Sequence, residues 1–172
     1  MDYTIRSTNT GDATAIAEIG GITFAKAYGD IVLTTDMDSY VATYFDPQFL
    51  KDEIISGSAS YFIAEGEQGV VGYAKISETP SPDALSGQRV IELIRLYVRP
   101  DFYGKGIGSA LLEAVKQHAV KAGYAALWLR VWEKNSGAIR LYARDGFREL
   151  SVEPYYIGTT ANPVVLMVRE LP

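Results

Sequence analysis

The spacing of apolar residues changes several times along the chain, and each change marks an element. Tyr3 to Arg6 reads as a short first strand. Ala15, Ile16, Ile19, Ile22 and Phe24 then recur at roughly helical spacing behind Thr10 and Asp12, either of which suits a cap, and the helix runs out near Gly29. A second helical region over 36–57 holds Tyr40, Val41, Tyr44 and Phe45, then Phe49, Leu50, Ile54 and Ile55, with Pro47 dividing it in two. SYFIAEGE and VVGYAKIS follow as a hairpin joined at Gln68-Gly69, and the proline-bearing stretch 78–88 reads as an exposed loop. RVIELIRLYV is the next strand. It leads through Gly104, Gly106 and Gly108 into a helix from 105 to about 122, with Gly123 placed to cap its end. ALWLRVW is a fifth strand, Asn135 to Gly146 a short helix begun by the first and stopped by the second, and 147–157 and 163–170 are closing strands. No repeat or change in composition interrupts this order, so residues 1–172 read as one α/β domain with a mixed α+β sheet.

Composition narrows the chemistry. The 172 residues are 48% apolar and 22% charged, as in a globular protein with a proper core. No run of about 18 apolar residues occurs and the first residues do not resemble a secretory signal, so no membrane span is expected and a cytoplasmic location is the default. A net charge of −5 argues against nucleic acid as a partner. There is no cysteine, which removes disulfides, thiolate metal sites and a cysteine nucleophile. His118 is the single histidine, mid-helix and more in keeping with packing than catalysis; no metal is expected.

The glycine turn at 103–109 is the strongest chemical signal. Backbone N–H groups at the mouth of a helix suit an anion, usually a phosphate. A Walker loop is absent, and a dinucleotide fingerprint counted from Gly104 meets Ser109 at its third glycine position. An acyl-CoA pyrophosphate turn remains, beside the plainer reading of a ligand-free strand-to-helix connection.

Two further motifs bear on that choice. The chain resembles the GNAT superfamily of acyl-CoA N-acyltransferases over nearly its whole length. The superfamily's Q/R-x-x-G-x-G/A signature stands here as Tyr103-Gly104-Lys105-Gly106-Ile107-Gly108, with Tyr103 departing at the first position. N-x-x-A-x-x-[LF]-Y-x-x-x-G-F is present as Asn135, Ala138, Leu141, Tyr142, Gly146 and Phe147. Within the superfamily, WLRVWEKNSGAIRLYARDGF, IELIRLYV, ITFAKAYG and the closing YYIG and VVLMVREL look like PaiA-type spermidine/spermine N-acetyltransferases.

The resemblance implies a mostly antiparallel seven-stranded sheet splayed between strands 4 and 5 and flanked by about four helices. It implies acetyl-CoA as co-substrate, with its pantetheine arm in the splay. A bulge there would free N–H groups of Leu96, Tyr97 and Val98, and residues Tyr103 to Ser109 (Gly104, Lys105, Gly106, Ile107 and Gly108 between) would hold the pyrophosphate. Asn135 either only caps its helix or also touches CoA. Tyr142 falls on the family's general-acid position: a phenol of pKa about 10 can protonate a leaving thiolate whose thiol has pKa roughly 8.5. A purely packing role stands beside that. Glu92 matches the general base of histone-type members, or else pairs with Arg95 or a neighbouring strand. Trp128 and Trp132 suit packing, with Trp132 at the strand end able to face the cleft.

With no cysteine to form an acyl-enzyme, direct attack in a ternary complex is favoured. Asp36, Asp38, Asp46, Asp52 and Glu53 form either a solvated face or a mouth for a polycation. The leading expectation is N-acetylation of a small-molecule amine, plausibly a polyamine such as spermidine or spermine. Acetylation of a protein lysine or N-terminus and a non-catalytic acyl-CoA-binding module are the alternatives. Oligomeric state is left open, a homodimer included.

Overall fold

A computed structural model describes residues 2–172. The chain begins with β1 (Tyr3–Ser7) and three helices, α1 (Ala13–Tyr28), α2 (Thr34–Tyr44) and α3 (Pro47–Ser56). β2 (Ser60–Gly66), β3 (Gly69–Ser77) and β4 (Val90–Val98) form a meander, followed by α4 (Ile107–Lys121), β5 (Ala126–Trp132) and α5 (Ser136–Arg144). β6 (Arg148–Ile157) and β7 (Thr160–Glu170) close the chain. The seven strands form one sheet in the order β1-β2-β3-β4-β5-β7-β6, with β4 and β5 parallel and every other pair antiparallel. This is the expected mixed sheet. Among the described residues no helix is long and apolar enough to cross a membrane.

Five α-helices flank it, Pro47 dividing the 36–57 region into α2 and α3 as its position predicts. Asp46 caps α3 by accepting from the N–H groups of Gln48 (2.5 Å) and Phe49 (3.1 Å). Asp12 stands at the N-cap position of α1 without a side-chain bond to that helix, and the side-chain cap is Asn9, one short turn earlier. Its side chain accepts from Gly11 N–H while the Asp12 carboxylate accepts from Asn9 N–H, opening a 3-10 turn that runs into α1. β7 begins three residues earlier than its spacing suggests, at Thr160. Pro163 faces Pro154 of β6, one residue past the last β5–β7 pair (Trp132 with Val164), so its missing N–H costs that ladder no bond.

The sheet separates two apolar layers. On one face α4 buries Ile107, Leu111, Leu112, Val115 and Ala119, a helical stripe, against Phe62, Ala74, Ile76, Leu93 and Leu129. On the other, Ile16 and Ile19 of α1 and Leu50 of α3 cover Tyr61, Ile63 and Tyr73. Beside them an aromatic group of Phe24, Phe45, Tyr40 and Tyr97 lies between α1, α2 and β4.

Candidate active site

β4 and β5 pair only from Val90 with Ala126 to Leu93 with Leu129. Beyond that point β4 continues along β3 and β5 along β7, so the two strands part. The local cause lies at Ile94. The β3–β4 register passes from Lys75–Arg95 to Ile76–Leu93, leaving Ile94 unmatched as a bulge that bends β4. Leu96, Tyr97 and Val98 pair with Ala74, Tyr73 and Gly72 on one side, and their other edge faces the opening.

β4 leads through the 3-10 turn Pro100–Phe102 into the glycine turn. Gly104 and Gly106 have φ of +76° and +79°, a left-handed backbone that explains both glycines and why α4 begins at Ile107 rather than 105. Gly106 is the N-cap residue and no side chain caps the helix. The N–H groups of Ile107, Gly108 and Ser109 therefore open α4 without an intrahelical partner, where the helix dipole favours an anion. Tyr103 is 54% exposed, with Lys26 Nζ of α1 5.7 Å from its ring centroid, and Lys105 Nζ lies 4.7 Å from the Phe102 ring. Two cations thus flank the turn, and Lys26 had no signal in the sequence because its approach depends on how α1 lies over the sheet.

Tyr142 sits in α5 at 7% exposure, its ring 5.6 Å from Phe147 in the layer beneath α4. Its hydroxyl has no hydrogen-bond partner among the described residues, and burial pushes the phenol above its ordinary value. Tyr97 belongs to the opposite layer, yet Tyr142 is within electrostatic reach of it. Asn135 begins α5, accepting from Ala138 N–H at 3.1 Å. Tyr28 and Trp132, 5.7 Å apart between ring centroids, join the end of α1 to the end of β5.

Glu92 is placed differently. It is 5% exposed, at the closed end of the β4–β5 pair, opposite Trp128 and away from the layer that holds Tyr142. One oxygen accepts from Arg130 Nη1 and the other from Thr79 Oγ1, each at 2.5 Å. Its partner is thus on the neighbouring strand, and Arg95 lies elsewhere. His118 packs edge-on against Phe62, ring centroids 5.3 Å apart.

The acidic segment is largely committed within the fold. Asp36 accepts from Thr159 N–H (3.0 Å) and Oγ1 (3.2 Å), holding α2 to the β6–β7 turn. Asp46 caps α3, Asp52 accepts from Gln48 Nε2, and Glu53 holds Lys75 Nζ (2.7 Å) and the Tyr61 hydroxyl. Asp38 alone of the five is exposed with no such partner among the described residues.

This arrangement suits a transferase that carries its group on a phosphorylated cofactor. Residues 23–147 match the model of the acetyltransferase (GNAT) family, and the chain belongs to that family; it is an acetyl-CoA-dependent acyltransferase. An uncharacterised N-acetyltransferase of Mycobacterium tuberculosis is 28% identical over 160 residues, 93% of this chain and 98% of that protein. The [ribosomal protein bS18]-alanine N-acetyltransferase of Escherichia coli is 38% identical over 80 residues, 46% of this chain and 54% of the relative. The crystal structure of a PaiA N-acetyltransferase from Thermoplasma acidophilum, in complex with coenzyme A, shares the fold with a TM-score of 0.79, 21% identity and 99% coverage of both chains.

Proposed function

We propose that the protein transfers the acetyl group of acetyl-CoA directly to a primary amine, with the CoA pyrophosphate at the start of α4 and Tyr142 protonating the departing sulfur. The observation that carries this is the uncapped start of α4, which follows β4 where that strand has parted from β5. The free edge of β4 over Leu96 to Val98 supplies N–H groups for the pantetheine arm and for the oxyanion of the tetrahedral intermediate.

In the reaction the amine lone pair forms a C–N bond at the thioester carbonyl, and the C–S bond then breaks. The thiolate takes the Tyr142 proton. The proton released from the amine nitrogen passes through solvent and restores the phenol, so the products are an amide and free CoA. Both hydrogen bonds to Glu92 support a structural ion pair; as a base it would first have to release one of them.

The polyamine reading is supported by the PaiA-type motifs and the shared fold. Its electrostatic support is weaker, since four of the five acidic side chains in the 36–53 segment have partners in the fold. The bS18-alanine relative keeps a protein N-terminus among the acceptors to be tried.

Free-CoA release with polyamines, amino acids and peptide N-termini tests the reading, with CoA binding measured alongside. Release with at least one class is expected. Tight CoA binding without release from any would make the chain a binding module, and failure of the folded protein to bind CoA would remove the site.

A further inference from the structure

Beneath α2 the sheet holds a guanidinium with no counter-ion. Arg95, directly after the bulge, is 6% exposed. Its Nη2 lies 3.4 Å from the Tyr40 hydroxyl and its Cζ 4.6 Å from the Phe45 ring centroid, while Nη1 is buried with no hydrogen-bond partner. No carboxylate among the described residues is within ion-pair distance. Glu53, which holds Lys75 opposite Arg95 in the β3–β4 register, is already neutralised by that lysine.

A second orphan lies beside it. Tyr73 is wholly buried and its hydroxyl has no partner. Tyr73 pairs with Tyr97 and Lys75 with Arg95 across β3 and β4, which makes Tyr73 and Arg95 diagonal neighbours on one face. The Tyr73 hydroxyl approaches Gly20 of α1, where an added Cβ would lie 2.8 Å from it and 2.3 Å from the Phe45 ring. Ring contacts offset only part of the cost of burying a cation; the open N–H groups leave the rest.

The group that fits two such donors is an oxyanion, which a guanidinium receives through parallel N–H bonds. Position says whose oxyanion it is. Both donors pack about Tyr97, whose ring centroid lies 5.6 Å from that of Tyr73 and 6.5 Å from that of Phe45, the ring under Arg95, and Tyr97 stands on β4 where it has parted from β5. We propose that the acceptor is an amine bearing an oxyanion, carboxylate or phosphonate, which Arg95 and the Tyr73 hydroxyl hold while the amine faces the thioester. This rests on the transfer reading above. The same buried charge repels a polycation in a low-dielectric site, so the inference runs against spermidine.

The test uses matched probes on the full chain with acetyl-CoA or CoA present. Glycine, β-alanine, 4-aminobutyrate and aminomethylphosphonate are compared with glycinamide, β-alaninamide, 4-aminobutyramide and methylamine, with spermidine alongside, for binding and for CoA release. At least one acid is expected to exceed its neutral counterpart by about 10- to 100-fold, the range of a charge-assisted hydrogen bond, and the carboxylate and phosphonate arms show which oxyanion fits. Arg95→Gln should bring that ratio close to one with Tm equal to or above wild type, because it removes an uncompensated buried charge. Tyr73→Phe, which removes only a hydroxyl, should lower the ratio several-fold and serves if Arg95→Gln does not fold.

Equal binding of acids and neutral counterparts, or a preference that survives Arg95→Gln, overturns the proposal. Arg95-dependent binding of an acid without CoA release supports it and defeats the transfer reading. CoA release from neutral amines and spermidine as fast as from the acids does the reverse.

Discussion

Residue by residue, the Tyr142 phenol combines a ring packed against Phe147 with a hydroxyl that has no hydrogen-bond partner among the described residues. Tyr142→Phe keeps the ring and removes the proton donor, so kcat should fall by about 10²–10⁴-fold with little change in KM for acetyl-CoA. Burial pushes this phenol above its ordinary value of 10.0, so it keeps its proton throughout the neutral range. The kcat profile should therefore rise with pH as the amine deprotonates, with no fall due to Tyr142 below pH 10. A Tyr142→Phe variant with wild-type kcat across that range would contradict the assignment. Glu92 makes the opposite case. Glu92→Gln weakens a charged pair of which the carboxylate is buried, and should cost about 1–3 kcal/mol of stability, read from denaturant unfolding. A variant of unchanged stability whose kcat falls 10²-fold or more would restore Glu92 as the base.

Among the elements, the turn into α4 separates two kinds of glycine. Gly106 has positive φ, so Gly106→Ala should cost about 1–2 kcal/mol and weaken CoA binding as the turn relaxes. Gly108 does not, and a Cβ there meets only Leu141 Cδ2 at 3.6 Å, an ordinary contact. Gly108→Ala should therefore hold Tm or raise it. Calorimetry with CoA and thermal unfolding read both effects; Gly106→Ala binding CoA like wild type would reduce the turn to a plain connection. The link between α2 and the β6–β7 turn is another such feature. Because Asp36 bonds Thr159, Asp36→Ala should loosen α2 and raise KM for every acceptor alike, whereas electrostatic attraction would affect polyamines alone.

Across the whole molecule, buried phenols dominate the response to alkali. Tyr61, Tyr73, Tyr97 and Tyr142 are all raised, with burial the largest cause, and Tyr28 is pushed up to about 12. A folded value above the unfolded one means that the fold favours the neutral phenol. Its contribution is complete below pH 10 and is lost as pH rises through the folded values. Stability should therefore show no loss from these groups up to about pH 10 and decline above it, with their tyrosinate absorbance appearing together with unfolding. Titration of all 12 tyrosines with ordinary midpoints in the folded protein would show that the aromatic layer is open to water.

By itself the sequence determined what is local. Strand and helix periods, the break at Pro47 and the Asn135 cap depend on residues a few positions apart, and all of them could be read in advance. The glycine turn was legible for the same reason, because left-handed backbone demands Gly104 and Gly106 wherever the turn sits. What depends on distant segments was decided only by the fold. The partner of Glu92 comes from β5, a choice made by strand order, and the acidic run 36–53 lost its apparent freedom once Asp36 met Thr159 and Glu53 met Lys75. In the sequence Arg95 stood only as a candidate partner for Glu92. Only the packing of α2 and β3 around it, with Glu53 already held by Lys75, makes it a buried charge without a partner, because desolvation belongs to the assembled layers and not to any one segment.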